Sequence, residues 1–370
     1  RQVNYGLLTN AQGVPVSVSV FKGNSGDPKT LLPQIDKERE QFDLERFVLV
    51  GDRGMITQKQ VDVLRELEGI DWISALRPEA IKKLLAAGRI QMDLFDERNL
   101  FELAHPDFPD ERLIACRNPE LAKHRSEKRR SLLEATAKEL DKVRAMVERG
   151  RLHGQDAIGV RVGKVIDKYQ VAKHYRLDIG NDRFTFEIDQ QRVAAEAALD
   201  GLYVVRTSVS SERLSAEQTV LSYKRLSQVE RAFRTLKSLD LEVRPIRHRR
   251  ERRVRAHIFM CMLAYYVEWH MIEAWRPLLF ADEDQAAKAS RDPIAPAKRS
   301  AAALSKVHTR TLDDGTPTHS FRTLLMHLSG IVRNTCRLPD APAETPAFHV
   351  VTTPNPKQKQ AFELLETIRA

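Results

Sequence analysis

The chain has 370 residues, with 60 Lys and Arg against 51 Asp and Glu for a formal net charge of +9, 42% apolar residues and 30% charged ones. That balance excludes a disordered or membrane-embedded chain and leaves room for two or three domains, and the longest uncharged apolar run, Ile258 to Val267, is ten residues, too short for a bilayer. Three scattered cysteines (Cys116, Cys261, Cys336) exclude a disulfide framework or zinc ribbon and, with no leader pattern at the start, predict a cytoplasmic protein; the basic balance favours a polyanionic partner.

In chain order, Val3, Tyr5 and Leu7, then Val14, Val16, Val18 and Val20, are apolar at period two around a turn at Asn10 to Gly13, so residues 2–21 predict a β-hairpin. Asp27 before Pro28 has the pattern of an N-cap followed by a proline in the first turn, and predicts a helix to about Gln41. Phe47-Val48-Leu49-Val50 is a continuous apolar run stopped by Gly51. It predicts a strand covered on both faces, at the centre of a mixed sheet. Thr57 with Gln60 predicts a capping box opening a helix over 58–68, and a short strand follows over 71–77. Together these elements define an α/β class.

Between residues 78 and 200 the periodicity changes. Short strand patterns at 90–94, 112–116, 157–165, 175–177 and 183–188 surround a helical stretch from about Leu121 to Arg149, with Leu133, Leu140, Val143 and Val147 on one side and Gly150 at its end. They predict an inserted, β-rich subdomain with one long helix. A strand returns over 202–209, and Ser215 with Gln218 opens helical periodicity that continues, with interruptions, to about Trp275. Composition marks 282–305 as a surface linker; five prolines within 338–357 mark an extended tail, and a short helix follows at 361–368. The predicted division is a core from 1–77 and 201–280, an insert at 78–200, and linker and tail over 281–370.

Asp52 stands just past the carboxyl end of the buried strand, where ligands gather in α/β sheets. With Thr57 expected to cap the next helix, no structural task is left for it. Tyr223, Glu230 and Lys237 are spaced seven apart and share one face if they lie on one helix, beside an apolar stripe of Val229, Phe233 and Leu236. Should that face meet the sheet end carrying Asp52, the two carboxylates and a third would hold two divalent cations about 4 Å apart, the arrangement used for in-line displacement at phosphorus. All-oxygen ligands favour Mg²⁺ or Mn²⁺. Residues 244–255 hold seven arginines in twelve positions. Arg247, Arg249, Arg250, Arg252 and Arg253 of this stretch, with Arg234 one turn after Glu230, predict a phosphate-gripping surface. A second basic cluster, Lys123, Arg125, Lys128, Arg129 and Arg130, is less dense and reads as an exposed helix face. His257 and Cys261 sit in a run of core residues and read as packing rather than metal ligands. No P-loop and no nucleophile-elbow pattern is present.

The spacing Tyr223…Glu230…Lys237, with Val48-Leu49-Val50-Gly51-Asp52-Arg53-Gly54 upstream, resembles the DDE transposases of bacterial insertion sequences, and within them the insertion sequence four group with its Tyr-Arg-Glu-Lys signature. Phe21-Lys22-Gly23-Asn24 ahead of Asp27, and Leu241-Glu242-Val243-Arg244-Pro245-Ile246, are similar to the same group. The resemblance implies an RNase H-like catalytic domain, interrupted before the glutamate, that cuts and joins double-stranded transposon-end DNA with two Mg²⁺ or Mn²⁺ ions. Asp52 then matches the second catalytic aspartate and Glu230 the glutamate, both as metal ligands. Tyr223 and Lys237 match residues near the reacting phosphate, and a homodimer on paired ends is implied. Two departures stand out. Leu226 and Ser227 occupy the positions of the group's arginine and tryptophan, and Arg225, one residue earlier, is turned by about 100° on a helix. The group's first aspartate lies on a strand ahead of the hairpin, so a third carboxylate and a DNA-binding segment are expected upstream of Arg1, in a fragment or a truncated gene. The alternative is a catalytically inactive, DNA-binding remnant.

Overall fold

The computed structural model describes residues 2–91, 95–97, 99–238, 241–284, 292, 294–295, 299–339, 342 and 344–368. The chain opens with β1 (Val3–Thr9), β2 (Pro15–Lys22), α1 (Asp27–Phe42), β3 (Phe47–Val50), α2 (Gln58–Leu64), β4 (Ile70–Ala75) and α3 (Pro78–Ala86). Next come β5 (Leu100–Leu103), β6 (Arg112–Arg117), the long helices α4 (Pro119–Glu148) and α5 (Gln155–Tyr169), β7 (Tyr175–Ile179), β8 (Phe184–Ile188) and α6 (Gln190–Ala197). β9 (Leu202–Thr207) precedes α7 (Ala216–Lys224), α8 (Leu226–Leu236) and α9 (Glu251–Ala274). Helices at Ala301–Thr309, Phe321–Leu328 and Pro356–Leu365, and a strand pair at Arg333–Cys336 and Phe348–Val351, follow. Two compact units result, one of Glu38–Lys224 with Asp292–Pro296, the other of Arg1–Lys37, Arg225–Arg291 and Ala297–Ala370. Among the described residues no helix is long and apolar enough to cross a membrane.

The unit containing Asp52 is built on a five-stranded mixed sheet in the order β3-β4-β9-β6-β5. β3, β4 and β6 run one way, β9 and β5 the other, so the carboxyl ends of β3, β4 and β6 share one end of the sheet with the start of β9. Ile114 and Cys116 of β6 pack with Ile73, Val205 and Val220 on one face, while Leu113 and Ala115 pack with Leu84, Leu202 and Val204 on the other. Burial of both faces explains the near-continuous apolar runs. β3 nevertheless stands at an edge, not at the expected centre: among the described residues it is hydrogen-bonded to β4 alone. Val48 and Val50 still pack against a core. The run therefore does not record strand neighbours on both sides.

The expected strand at 157–165 is instead α5. Ile158, Val162 and Ile166 recur every fourth residue and bury against Leu133, Leu140, Val143 and Val147 of α4, with Phe184 of β8. The β-branched composition had hidden that period. The stretch is thus helix-rich, with two long helices, rather than β-rich with one. Most of the strand expected at 90–94 lies outside the described residues, although Ile90 is buried in the sheet's core.

In the other unit, the hairpin β1–β2 turns where Asn10 Oδ1 accepts from the N–H groups of Gln12 and Val14, both at 3.0 Å. Gly13 has φ +85°, and a Cβ there would sit 2.8 Å from Cβ of Gln228, so glycine is what lets the turn rest on α8. Tyr5, Leu7, Val18 and Val20 cover Ala232, Leu236, Ile258, Cys261 and Tyr265 of α8 and α9. From α1, Lys37 Nζ donates to Ser17 Oγ (2.9 Å) and Ser19 Oγ (3.0 Å). α1 begins at Asp27 itself, whose side chain lies outside the described residues. A second core forms around the fully buried Trp275, whose Nε1 donates to Ala361 O at 2.8 Å, with Leu278, Leu279 and Leu324. The expected linker ends in the helix Ala301–Thr309, and the expected tail contains the strand Phe348–Val351 and the start of the last helix, at Pro356.

Candidate active site and nucleic-acid surface

Gly51 N donates to Ile73 O (3.1 Å), carrying the ladder one residue past β3. Asp52 follows at the shared carboxyl end of the sheet. Its Oδ1 accepts the N–H groups of Gly54 (2.9 Å) and Met55 (2.8 Å), and its carbonyl accepts that of Ile56 (2.9 Å). Asp52 is therefore an Asx turn, which corrects the expectation that it has no structural task. Thr57 does not supply the expected cap: its side chain makes no cap hydrogen bond, and its hydroxyl donates to Gln60 Oε1. The turn uses one carboxylate oxygen. Among the described residues no donor reaches Oδ2 of the exposed Asp52.

The capping box of α7 does form, with Ser215 N donating to Gln218 Oε1 (2.9 Å) and Gln218 N to Ser215 Oγ (3.2 Å). The single helix expected to carry Tyr223, Glu230 and Lys237 is two. α7 ends at Lys224 and α8 opens at Leu226; Gln228 N reaches back three residues to Arg225 O (2.8 Å), tightening the chain locally. Tyr223 belongs to the unit of Asp52, whereas Glu230, Arg234, Lys237 and the arginine-rich segment belong to the other. The shared-face argument thus holds within α8, for Glu230 and Lys237. Glu230 is 69% exposed, its Oε2 3.4 Å from Arg234 Nη2 one turn on, a pair worth little in water. Lys237, at the C-cap of α8, holds its Nζ 5.7 Å from the Phe233 ring, which in turn lies 5.5 Å from Tyr5.

Arg247, Arg249, Arg250, Arg252 and Arg253 are all exposed and have no carboxylate partner among the described residues; Arg255 pairs with Glu251 at 2.9 Å. Arg249 and Arg255, with Ile246 and His248, line a groove of about 1130 Å³ whose other wall is Phe21, Lys22, Gly23 and Asn24. The fold thus joins two segments that sequence reading noted separately. Gly23 is needed there, since a Cβ would fall 2.2 Å from Gln2 O across the hairpin. His257 Nε2 lies 3.2 Å from Val243 O and Cys261 Sγ donates to Leu241 O (3.4 Å), so both side chains fasten residues 241–243 to α9. Burial pushes the Cys261 thiol up from its ordinary value, as expected of a packed cysteine.

In the unit of Asp52, Arg53 and Tyr223 line a second groove, of about 720 Å³. Arg53 carries no motif signal of its own in the sequence, although it follows Asp52 directly. Among the described residues no three His, Cys, Asp or Glu side chains gather as a metal site. Asp52 and Glu230 are each exposed carboxylates with an uncommitted or weakly held oxygen, a donor chemistry that suits a hard cation such as Mg²⁺ or Mn²⁺.

The Transposase DDE domain family matches residues 2–267, and the chain belongs to it. No curated protein and no solved structure matches the chain. Membership implies transposase activity in DNA transposition and recombination and the binding of DNA, in a family that generally uses divalent metal ions.

Proposed function

We propose that the chain is the transposase of an insertion sequence of the insertion sequence four group, which cuts and joins the element's double-stranded ends. Its RNase H-like core draws on residues 1–77 and 201–280; the intervening 78–200 adds β5 and β6 to the sheet before its helical part, and 281–370 follow. Asp52 and Glu230, together with a third carboxylate, would hold two Mg²⁺ or Mn²⁺ ions, which when bound would activate a water or 3′-hydroxyl and stabilise the leaving oxygen. Oδ1 of Asp52 is anchored by the turn, which fixes the carboxylate at the strand end and leaves Oδ2 for a ligand. Tyr223, Arg234, Lys237 and the arginines at 247, 249, 250, 252 and 253 grip phosphates, which positions DNA without reading its sequence. The active form is a homodimer on paired ends, in the cytoplasm.

One observation carries this reading: in a chain matched by the transposase family over residues 2–267, a carboxylate with an uncommitted oxygen stands at the carboxyl end of β3. The test is strand cleavage of duplex DNA bearing the element's ends, in Mg²⁺, by the full-length protein carrying Asp52→Asn or Glu230→Gln. Both are expected to abolish cleavage. Retained activity in either removes that residue from the site.

A further inference from the structure

The basic cluster near the start of α4 reads from sequence as an exposed helix face, and the fold gives it company. β3, β4 and β6 end on one side of the sheet, and the segment after each carries cations: Arg53 after β3, Lys82 on α3 after β4, Arg125 and Lys128 on α4 after β6. All four line the groove of about 720 Å³. All four are exposed and lack a carboxylate partner among the described residues. The groove's other cations are already neutralised, Arg129 by Asp200 at 2.5 Å and Lys173 by Glu196 at 2.6 Å, so the groove's remaining uncommitted carboxylate is Glu79. Arg125 and Lys128, three apart, share one face of α4. A concave surface with this excess of unpaired positive charge attracts a polyanion and is relieved by one.

We propose that this groove is a second track for duplex DNA, in which Arg53, Lys82, Arg125 and Lys128 hold the phosphodiester backbone beside Asp52. The inserted helix α4 then contributes to the substrate surface. The proposal rests on the DNA-binding reading of the family and extends it to residues outside its signature.

The test is binding of a labelled, random-sequence duplex of about 30 base pairs by the full chain, titrated from about 50 to 200 mM salt. Arg125→Glu with Lys128→Glu is compared with Lys138→Glu and Lys164→Glu, an equal charge change at exposed residues outside the groove that have no ion pair among the described residues. Arg125→Gln with Lys128→Gln guards against a folding defect, read by circular dichroism. The groove variants are expected to bind about tenfold more weakly or worse, and to flatten the slope of log affinity against log salt by about 2, with the control pair near the unmutated chain. An unchanged groove variant, or a control that falls as far, overturns the proposal. Absence of any duplex binding by the unmutated chain is a different result, which overturns the DNA-binding reading and this track with it.

Discussion

Asp52 has two oxygens, and the fold commits one of them. Oδ1 closes the turn onto Gly54 and Met55, whereas Oδ2 has no donor among the described residues. Asparagine keeps the Oδ1 acceptor and removes the charge. Asp52→Asn is therefore expected to unfold in urea within about 0.5 kcal/mol of the parent while losing cleavage, and Asp52→Ala to cost about 1 kcal/mol more. Equal destabilisation by both would assign the charge a structural role. Gly13 is a second residue with a sharp expectation. Alanine there meets φ +85° and a Cβ 2.8 Å from Gln228, so Gly13→Ala should destabilise the hairpin's unit by about 1–3 kcal/mol in urea unfolding. The strand-end position of Asp52 was legible from the apolar run and Gly51. Its turn was not, because the turn depends on where the N–H groups of Gly54 and Met55 point.

At the scale of elements, local patterns read well where one period dominated. The hairpin, α1 and α4 lie within a few residues of their expected bounds, and Ser215 and Gln218 cap α7 as their spacing predicted. In α5, Ile158, Val160, Val162 and Val165 have strand composition, which masks the helical spacing of the buried members Ile158, Val162 and Ile166. The break at Arg225 left no mark in the sequence: its right-handed angles (φ −63°, ψ −15°) are open to any residue. Asp189 shows how one cap ties elements together. Its Oδ1 accepts Arg192 N (3.1 Å) at the start of α6, and its Oδ2 accepts from Arg176 Nε of β7 (3.0 Å). The Arg192 N–H first, then Arg176, hold its carboxyl below the ordinary range. A depressed folded pKa adds stability above the unfolded value near 4, and that stability is lost as pH falls through the folded one. Asp189→Asn should therefore melt below the parent at neutral pH, with the gap closing in acid. A gap independent of pH would remove the charge from the explanation.

For the whole molecule, the α/β class and the transposase resemblance were legible, and the family match over residues 2–267 agrees with them. Strand order was not. β6, which lies inside the expected insert, pairs with β9 across residues 118–201, and nothing in Arg112–Arg117 names Leu202–Thr207 as its partner. The grouping of cations was hidden for the same reason: Arg53, Lys82 and the neighbouring pair Arg125 and Lys128 come from three separate segments and share a groove through the common direction of β3, β4 and β6. Sharing of cations between Asp52 and Glu230 is tested most directly by metal-directed backbone cleavage, with Fe²⁺ in place of Mg²⁺ and ascorbate and peroxide to generate radicals. Cuts near both residue 52 and residue 230 are expected, each lost when the other carboxylate is replaced by its amide. Cuts near one residue alone, or cuts at one that survive replacement of the other, would contradict a shared site.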